Sequence, residues 1–178
     1  MEQNMEDIRY PIGKFNFSGE PERQQVDAWI QEIETLPARL KEALKGLSAE
    51  QLNTPYRPGG WTVRQLVHHV GDSHLNSYVR FKWALTEDRP TIKAYDQDGW
   101  AGLPDSKRTD TGDSLAFIEI LHRRWSLILR ALSDADLGKE FLHPESGVNT
   151  LGRTIGLYAW HGNHHLAHIT SLRKRMNW

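Results

Sequence analysis

Cysteine is absent from all 178 residues. Its absence excludes disulfides, cysteine-type zinc fingers and a thiol nucleophile belonging to the protein itself, so any thiol chemistry must use a thiol brought from outside. No stretch approaches the roughly 18 apolar residues of a membrane span. The start, from Met1 to Asp7, also lacks the basic segment and apolar core of a secretory signal. A soluble, cytoplasmic protein is expected. Neither sign of charge dominates: 22 Lys and Arg stand against 23 Asp and Glu, a formal net charge of −1, which gives no global attraction to nucleic acid. A phosphate loop and a dinucleotide fingerprint are missing. So is the His-Glu-x-x-His spacing of metalloproteases, because Gly162 follows His161. No segment alternates convincingly as a β-strand would.

What is present is helical. Pro21 reads as the first-turn residue of a helix running to about Lys45, with Val26, Trp29, Ile30, Ile33, Leu36, Leu40 and Leu44 on one stripe. Pro37 lies within that stripe and is expected to kink the helix or divide it. Thr62 and Gln65 have capping-box spacing and open a second helix through about Leu85. Two further helices are expected over about 113–132 and 151–175. Between the second and third lies a polar connection over about 86–112, long enough to suggest a functional loop. With 38% hydrophobic residues and seven Trp, the pattern predicts an all-α four-helix bundle forming a single domain over 1–178. Two hexads, Leu47 to Leu52 and Leu132 to Leu137, precede the second and fourth helices as a weak internal repeat, or as two ordinary capped turns.

Four of the nine histidines fall between His161 and His168. Histidines four apart share one helix face, as a divalent metal requires where thiolates are unavailable. Helical phase places His161 and His165 within the apolar arc marked by Leu157, Tyr158, Ile169, Leu172 and Met176, with His168 at its edge and His164 further round. A third ligand must come from another helix. The second helix offers His68, His69 and His74, and phase does not choose among them. Asp72, Ser73 and His74 are triad residue types, but adjacent helical positions diverge by about 100° and cannot form a catalytic chain. The basic run Arg173, Lys174 and Arg175 suits the negative end of a helix dipole.

The run from Gly60 to His69, followed by Asp72, Ser73 and His74 and then by Trp160, His161, His164, His165, His168, Ile169 and Thr170, resembles the DinB superfamily and its YfiT-like branch. The resemblance extends to Tyr10 through Gly13 and Asn76 through Lys82, and so over nearly the whole chain. It implies an up-down-down-up bundle with a three-histidine metal site, one ligand on the second helix and two, four apart, on the last. The family pattern falls on His69, His161 and His165. It further implies a bacillithiol-type S-transferase, or a metal-dependent hydrolase, acting on small molecules.

The leading expectation is therefore an enzyme whose divalent metal, zinc by default and nickel as an alternative, activates a low-molecular-weight thiol for attack on a small electrophile. A hydrolase activating water, and a non-catalytic bundle stabilised by its metal, are the alternatives. Tyr95, Trp100 and Arg108 in the long connection are candidate substrate contacts. A homodimer is expected as well, with no nucleic-acid or membrane partner.

Overall fold

The computed structural model describes residues 5–178. Residues 1–4, part of the start that lacks a signal-peptide pattern, lie outside the described residues. In chain order the elements are α1 (Met5–Arg9), α2 (Arg23–Leu44), α3 (Ala49–Leu52), α4 (Val63–Thr86), α5 (Gln97–Ala101), α6 (Pro104–Arg108), α7 (Thr111–Ala131), α8 (Asp134–Leu137), β1 (Glu140–His143), β2 (Gly147–Thr150) and α9 (Leu151–Met176).

Of the four long helices α2, α4, α7 and α9, the last three begin where a side chain satisfies a free N–H group, whereas Glu22 at the start of α2 makes no such bond. At α4, the Thr62 hydroxyl accepts from the Gln65 N–H while the Gln65 side chain accepts from the Thr62 N–H. Thr150 and Asp110 cap α9 and α7. Removing such a cap costs about 1 kcal/mol. Both hexads form short capped helices, α3 and α8, closed by Ser48 with Gln51 and by Ser133 with Asp136.

Named contacts fix the helix directions. Ile33 meets His122 and Glu34 meets Arg130, but Arg130 also reaches back to Asp27, so α2 and α7 run antiparallel. Trp29 lies against Gly156, Leu36 against Gly162 and Ala43 against Arg173, so α2 and α9 run parallel. His69 meets His161 and Arg80 meets Tyr158, which makes α4 antiparallel to α9. His68 meets Ser114, His74 meets His122 and Phe81 meets Trp125, which makes α4 parallel to α7. The result is an up-down-down-up four-helix bundle, as expected.

Several local expectations are corrected. Pro37 does not divide α2, which is a single helix from Arg23 to Leu44. Pro21 precedes the Glu22 cap instead of opening the helix, and packs near Gly152. The connection between α4 and α7, expected as a long functional or packed loop, is packed on α4 but contains two short helices, α5 and α6. Strands were not expected, yet β1 and β2 pair antiparallel, with Phe141 opposite Asn149 and Gly147 at a φ of 75° where the chain leaves the turn and enters β2. Gly147 accepts that left-handed backbone at no steric cost.

The apolar interior is split into two clusters. One holds Val26, Ile30, Ile33, Phe81, Trp125, Leu129 and Ile155, and the other holds Leu36, Leu40, Leu66, Val67, Val70, Ile118 and Ile169. The break falls between Val70 and Tyr78 on α4 and between Ala159 and Ile169 on α9. Histidines occupy that break. A buried polar layer is costly unless its groups find partners, so its contacts must account for its presence.

Candidate metal centre

His161 and His165 are one helical turn apart on α9, and antiparallel packing brings His69 of α4 to the same point. The Nε2 atom of His161 lies 3.2 Å from Nε2 of His69 and 3.2 Å from Nε2 of His165. Ligand atoms of the three residues all lie within 4.8 Å of one another. A tetrahedral ion at ordinary zinc–imidazole bond lengths separates its ligand atoms by about 3.3 Å. The nitrogen set therefore fits a divalent metal in both chemistry and spacing.

The protonation state fits as well. Burial pushes His69 down to about 4 and holds His161 and His165 well below the usual histidine range, with the neighbouring imidazoles adding to the effect. Neutral imidazole is the ligand form. Trp61, at the entrance to α4, packs on the His69 ring at 4.6 Å between centroids and limits its rotation.

The remaining histidines have other partners. His68 faces α7, with Nδ1 beside the Ser114 hydroxyl and Nε2 3.3 Å from the Thr109 carbonyl. His74 stands behind His161, its Nε2 3.1 Å from His161 Nδ1. His164 and His168 pair through Nε2 at 3.0 Å and are both buried, His164 under Trp160 and His168 against Tyr56. Of the three candidates on α4, only His69 is brought together with His161 and His165. The Nδ1 atoms of His164 and His165 are buried without a protein partner.

Two clefts reach these rings. One, of about 450 Å³, opens over His69, His161 and His165 between Arg9, Tyr10, Tyr56, Arg57, Gln97 and Trp160. The second, of about 410 Å³, reaches His161 past Arg80, Tyr95, His143 and Tyr158. Gln97 lines both. A larger concavity of about 570 Å³ lies away from the triad, between the outer faces of α2 and α7.

Tyr95, one of the expected substrate contacts, lines the second cleft, and burial pushes its phenol up to about 12. Trp100 packs against Tyr95 at 4.6 Å without lining either cleft. Arg108 is exposed at the end of α6 and lines neither, so that expectation is corrected. Burial, reinforced by Asp105, raises the Asp72 carboxyl to about 6, but Asp72 lies outside both clefts. Sequence reasoning missed Tyr10, Tyr56, Trp61 and Gln97 as cleft residues. Tyr10 and Trp61 lay within runs that carry the family resemblance, and Trp61 also stands beside the capping box that opens α4; Tyr56 and Gln97 carried no signal.

The sequence model of the DinB superfamily matches residues 32–169. A protein of Bacillus mycoides named "Putative metal-dependent hydrolase" is 59% identical over 174 residues, covering 98% of this chain and all of that protein. A Bacillus anthracis protein with the same name is 58% identical over 98% of this chain and all of its own length. The structure of YfiT from Bacillus subtilis, described as a probable metal-dependent hydrolase with an unusual four-helix bundle topology, superposes with a TM-score of 0.94 at 48% identity, covering 97% of this chain and 99% of that one. A more distant four-helix bundle protein, TT2238, superposes with a TM-score of 0.53 at 22% identity over 79% of this chain and 94% of its own, a likeness of fold.

Proposed function

The chain belongs to the DinB superfamily, and from that premise we propose a metal-dependent enzyme in which His69, His161 and His165 hold a divalent ion that activates a low-molecular-weight thiol for transfer to a small electrophile. The observation that carries this reading is the convergence of three neutral imidazoles, two of them 3.2 Å from the third, at the floor of an open cleft. A divalent ion with three such ligands supplies an open position at which a thiol or a water loses its proton near neutral pH.

The protein's own residues do the rest. Burial keeps the three imidazoles deprotonated, and Trp61 and His74 orient two of them. Tyr10, Tyr56 and Trp160 wall the cleft, while Arg9 and Arg57 give its rim a positive charge suited to an anionic thiol. Among the described residues lining this cleft the single carboxylate is the exposed Asp98, while Asp96 and Glu145 line the second cleft. A thiol that gives up its proton at the metal has less need of a resident base than water does, which favours thiol transfer.

Hydrolysis is the second reading, and the names of the Bacillus relatives favour it. Both readings use one ion and differ in the nucleophile. The test is to load purified protein with zinc or nickel and incubate it with bacillithiol and a chlorinated nitroarene, in parallel with ester and amide panels lacking thiol. Metal-dependent conjugation well above background supports thiol transfer. Turnover only in the thiol-free panels replaces it with hydrolysis, and a protein that binds no metal removes both.

A further inference from the structure

The metal reading gives His74 a place behind His161 but leaves open what orients His74 itself and why His122 lies beyond it, although both are essentially sealed from solvent, at 0% and 1% exposure. Their hydrogen bonds form a single line. His122 Nδ1 lies 2.7 Å from the backbone oxygen of Ile33, His122 Nε2 lies 2.9 Å from His74 Nδ1, and His74 Nε2 lies 3.1 Å from His161 Nδ1. The rings of His74 and His122 are within 11° of parallel with centroids 4.9 Å apart, and those of His74 and His161 are 5.3 Å apart. Such separations belong to rings meeting edge to edge through their nitrogens.

The line begins at Pro37. In a regular helix the Ile33 carbonyl accepts from the N–H of residue 37, and proline has none. The bundle fills that vacancy from α7 with His122.

A carbonyl oxygen can only accept, so it sets the polarity of everything that follows. His122 must carry its proton on Nδ1. Being neutral, it presents a lone pair at Nε2, which obliges His74 to donate from Nδ1. His74 then accepts at Nε2 from a proton on His161 Nδ1. The last free lone pair in the series is that of His161 Nε2, the atom facing His69 and His165. The opposite polarity would place a hydrogen on that nitrogen and abolish it as a ligand.

We propose that Pro37, His122 and His74 form a polarised relay that locks His161 in its Nδ1–H tautomer and reserves its Nε2 lone pair for the metal. Its purpose rests on the metal reading above, whereas the lock itself is a property of the metal-free protein. His74 and His122 are positioning residues, since both act through His161. Metal-bound histidines generally donate their second nitrogen to a carboxylate or carbonyl. Here the carbonyl is reached through two intervening imidazoles.

The test uses ¹⁵N-histidine-labelled full-length protein stripped of metal with a chelator at pH 7.5. Two-bond ¹H–¹⁵N spectra distinguish Nδ1–H from Nε2–H imidazoles, and His122, His74 and His161 are all expected as Nδ1–H. His122→Phe fills the space but accepts nothing, so His74 and His161 should lose the single tautomer. Zinc affinity, measured by chelator competition, should fall about 10- to 100-fold, the usual loss for such a partner. His122→Gln keeps an acceptor for His74 and should restore the Nδ1–H signatures and most of the affinity. An Nε2–H signal from His161 in the unaltered protein overturns the relay, and that reading needs no variant to fold. Unchanged tautomers in a folded His122→Phe protein overturn it equally. A protein with the expected tautomers but no zinc binding keeps the lock and discards the metal reading instead.

Discussion

Lowering the pH should unfold the metal-free protein, and the size of the effect follows from the buried imidazoles. His69 and His122 are both pushed to about 4 by burial, from an ordinary value near 6.5. The unfolded chain therefore binds protons between about pH 6.5 and 4 that the folded chain refuses. In that window stability rises with pH and falls with acidification, at about 1.4 kcal/mol per pH unit for each such histidine. Each of these two contributes a loss of roughly 3 kcal/mol, complete near pH 4. His74, His161 and His165, all held well below the usual range, act in the same direction. Set against total stabilities of about 5–15 kcal/mol, this is a large fraction of what holds the fold. Urea unfolding of the chelator-treated protein at pH 7.5, 6.5 and 5.5 should show a stability slope equivalent to about three or more protons between pH 6.5 and 5.5. His122→Gln removes one titrating ring and should lower that slope by about one proton. Zinc, which binds the deprotonated ligands, should raise stability at pH 7.5 and be displaced as the pH falls. A urea midpoint that stays flat, or rises, from pH 7.5 to 5.5 would refute the reasoning.

Three further outcomes are expected. His69→Ala and His165→Ala should each lose bound metal on elemental analysis of purified protein, while His68→Ala, whose ring faces Ser114 and Thr109, should retain it in full; full metal retention in His69→Ala would remove it from the ligand set. Gly162→Val should destabilise the fold by about 1–3 kcal/mol in urea unfolding, because even a single added carbon would lie within contact distance of Leu36 where α2 crosses α9. Phe117, Ile120 and Leu127 are exposed on the outer face of α7, and the expected homodimer should appear in light scattering and give way to monomer in a Leu127→Glu variant; a wild-type mass equal to one chain sets the dimer aside.

The bundle was legible because its signals are local. Thr62 with Gln65, Ser48 with Gln51 and apolar stripes at three- and four-residue spacing depend on neighbours within one or two turns. The hairpin of β1 and β2 carried no such signal. Its strands are four residues each, and Leu142 and Val148 are exposed where a core face would demand burial, so alternation has too few positions to register. The two short helices α5 and α6 were missed for a related reason: each holds a single buried residue, Ala101 or Ser106, and neither has an apolar face to detect.

The histidine layer divides along the same line. Phase alone found His161 with His165, because both lie on one helix and their relation is a matter of turn geometry. It could not choose among His68, His69 and His74, since the answer depends on how α4 is rotated against α9, a long-range quantity that no window of sequence contains. His122 was invisible for the same reason, sitting as an unremarked position within the expected third helix. Pro37 was noticed for its effect on the helix path and not for the carbonyl it leaves free. It was expected to kink or divide the helix; α2 continues through it as one helix packed on both α7 and α9, and the missing N–H leaves one carbonyl without its helical donor. An unpaired buried acceptor costs about 1–3 kcal/mol, enough to draw in a donor from the neighbouring helix. The side chain that fills it is a histidine with a second nitrogen to place, and that nitrogen points into the layer where the three converging imidazoles stand.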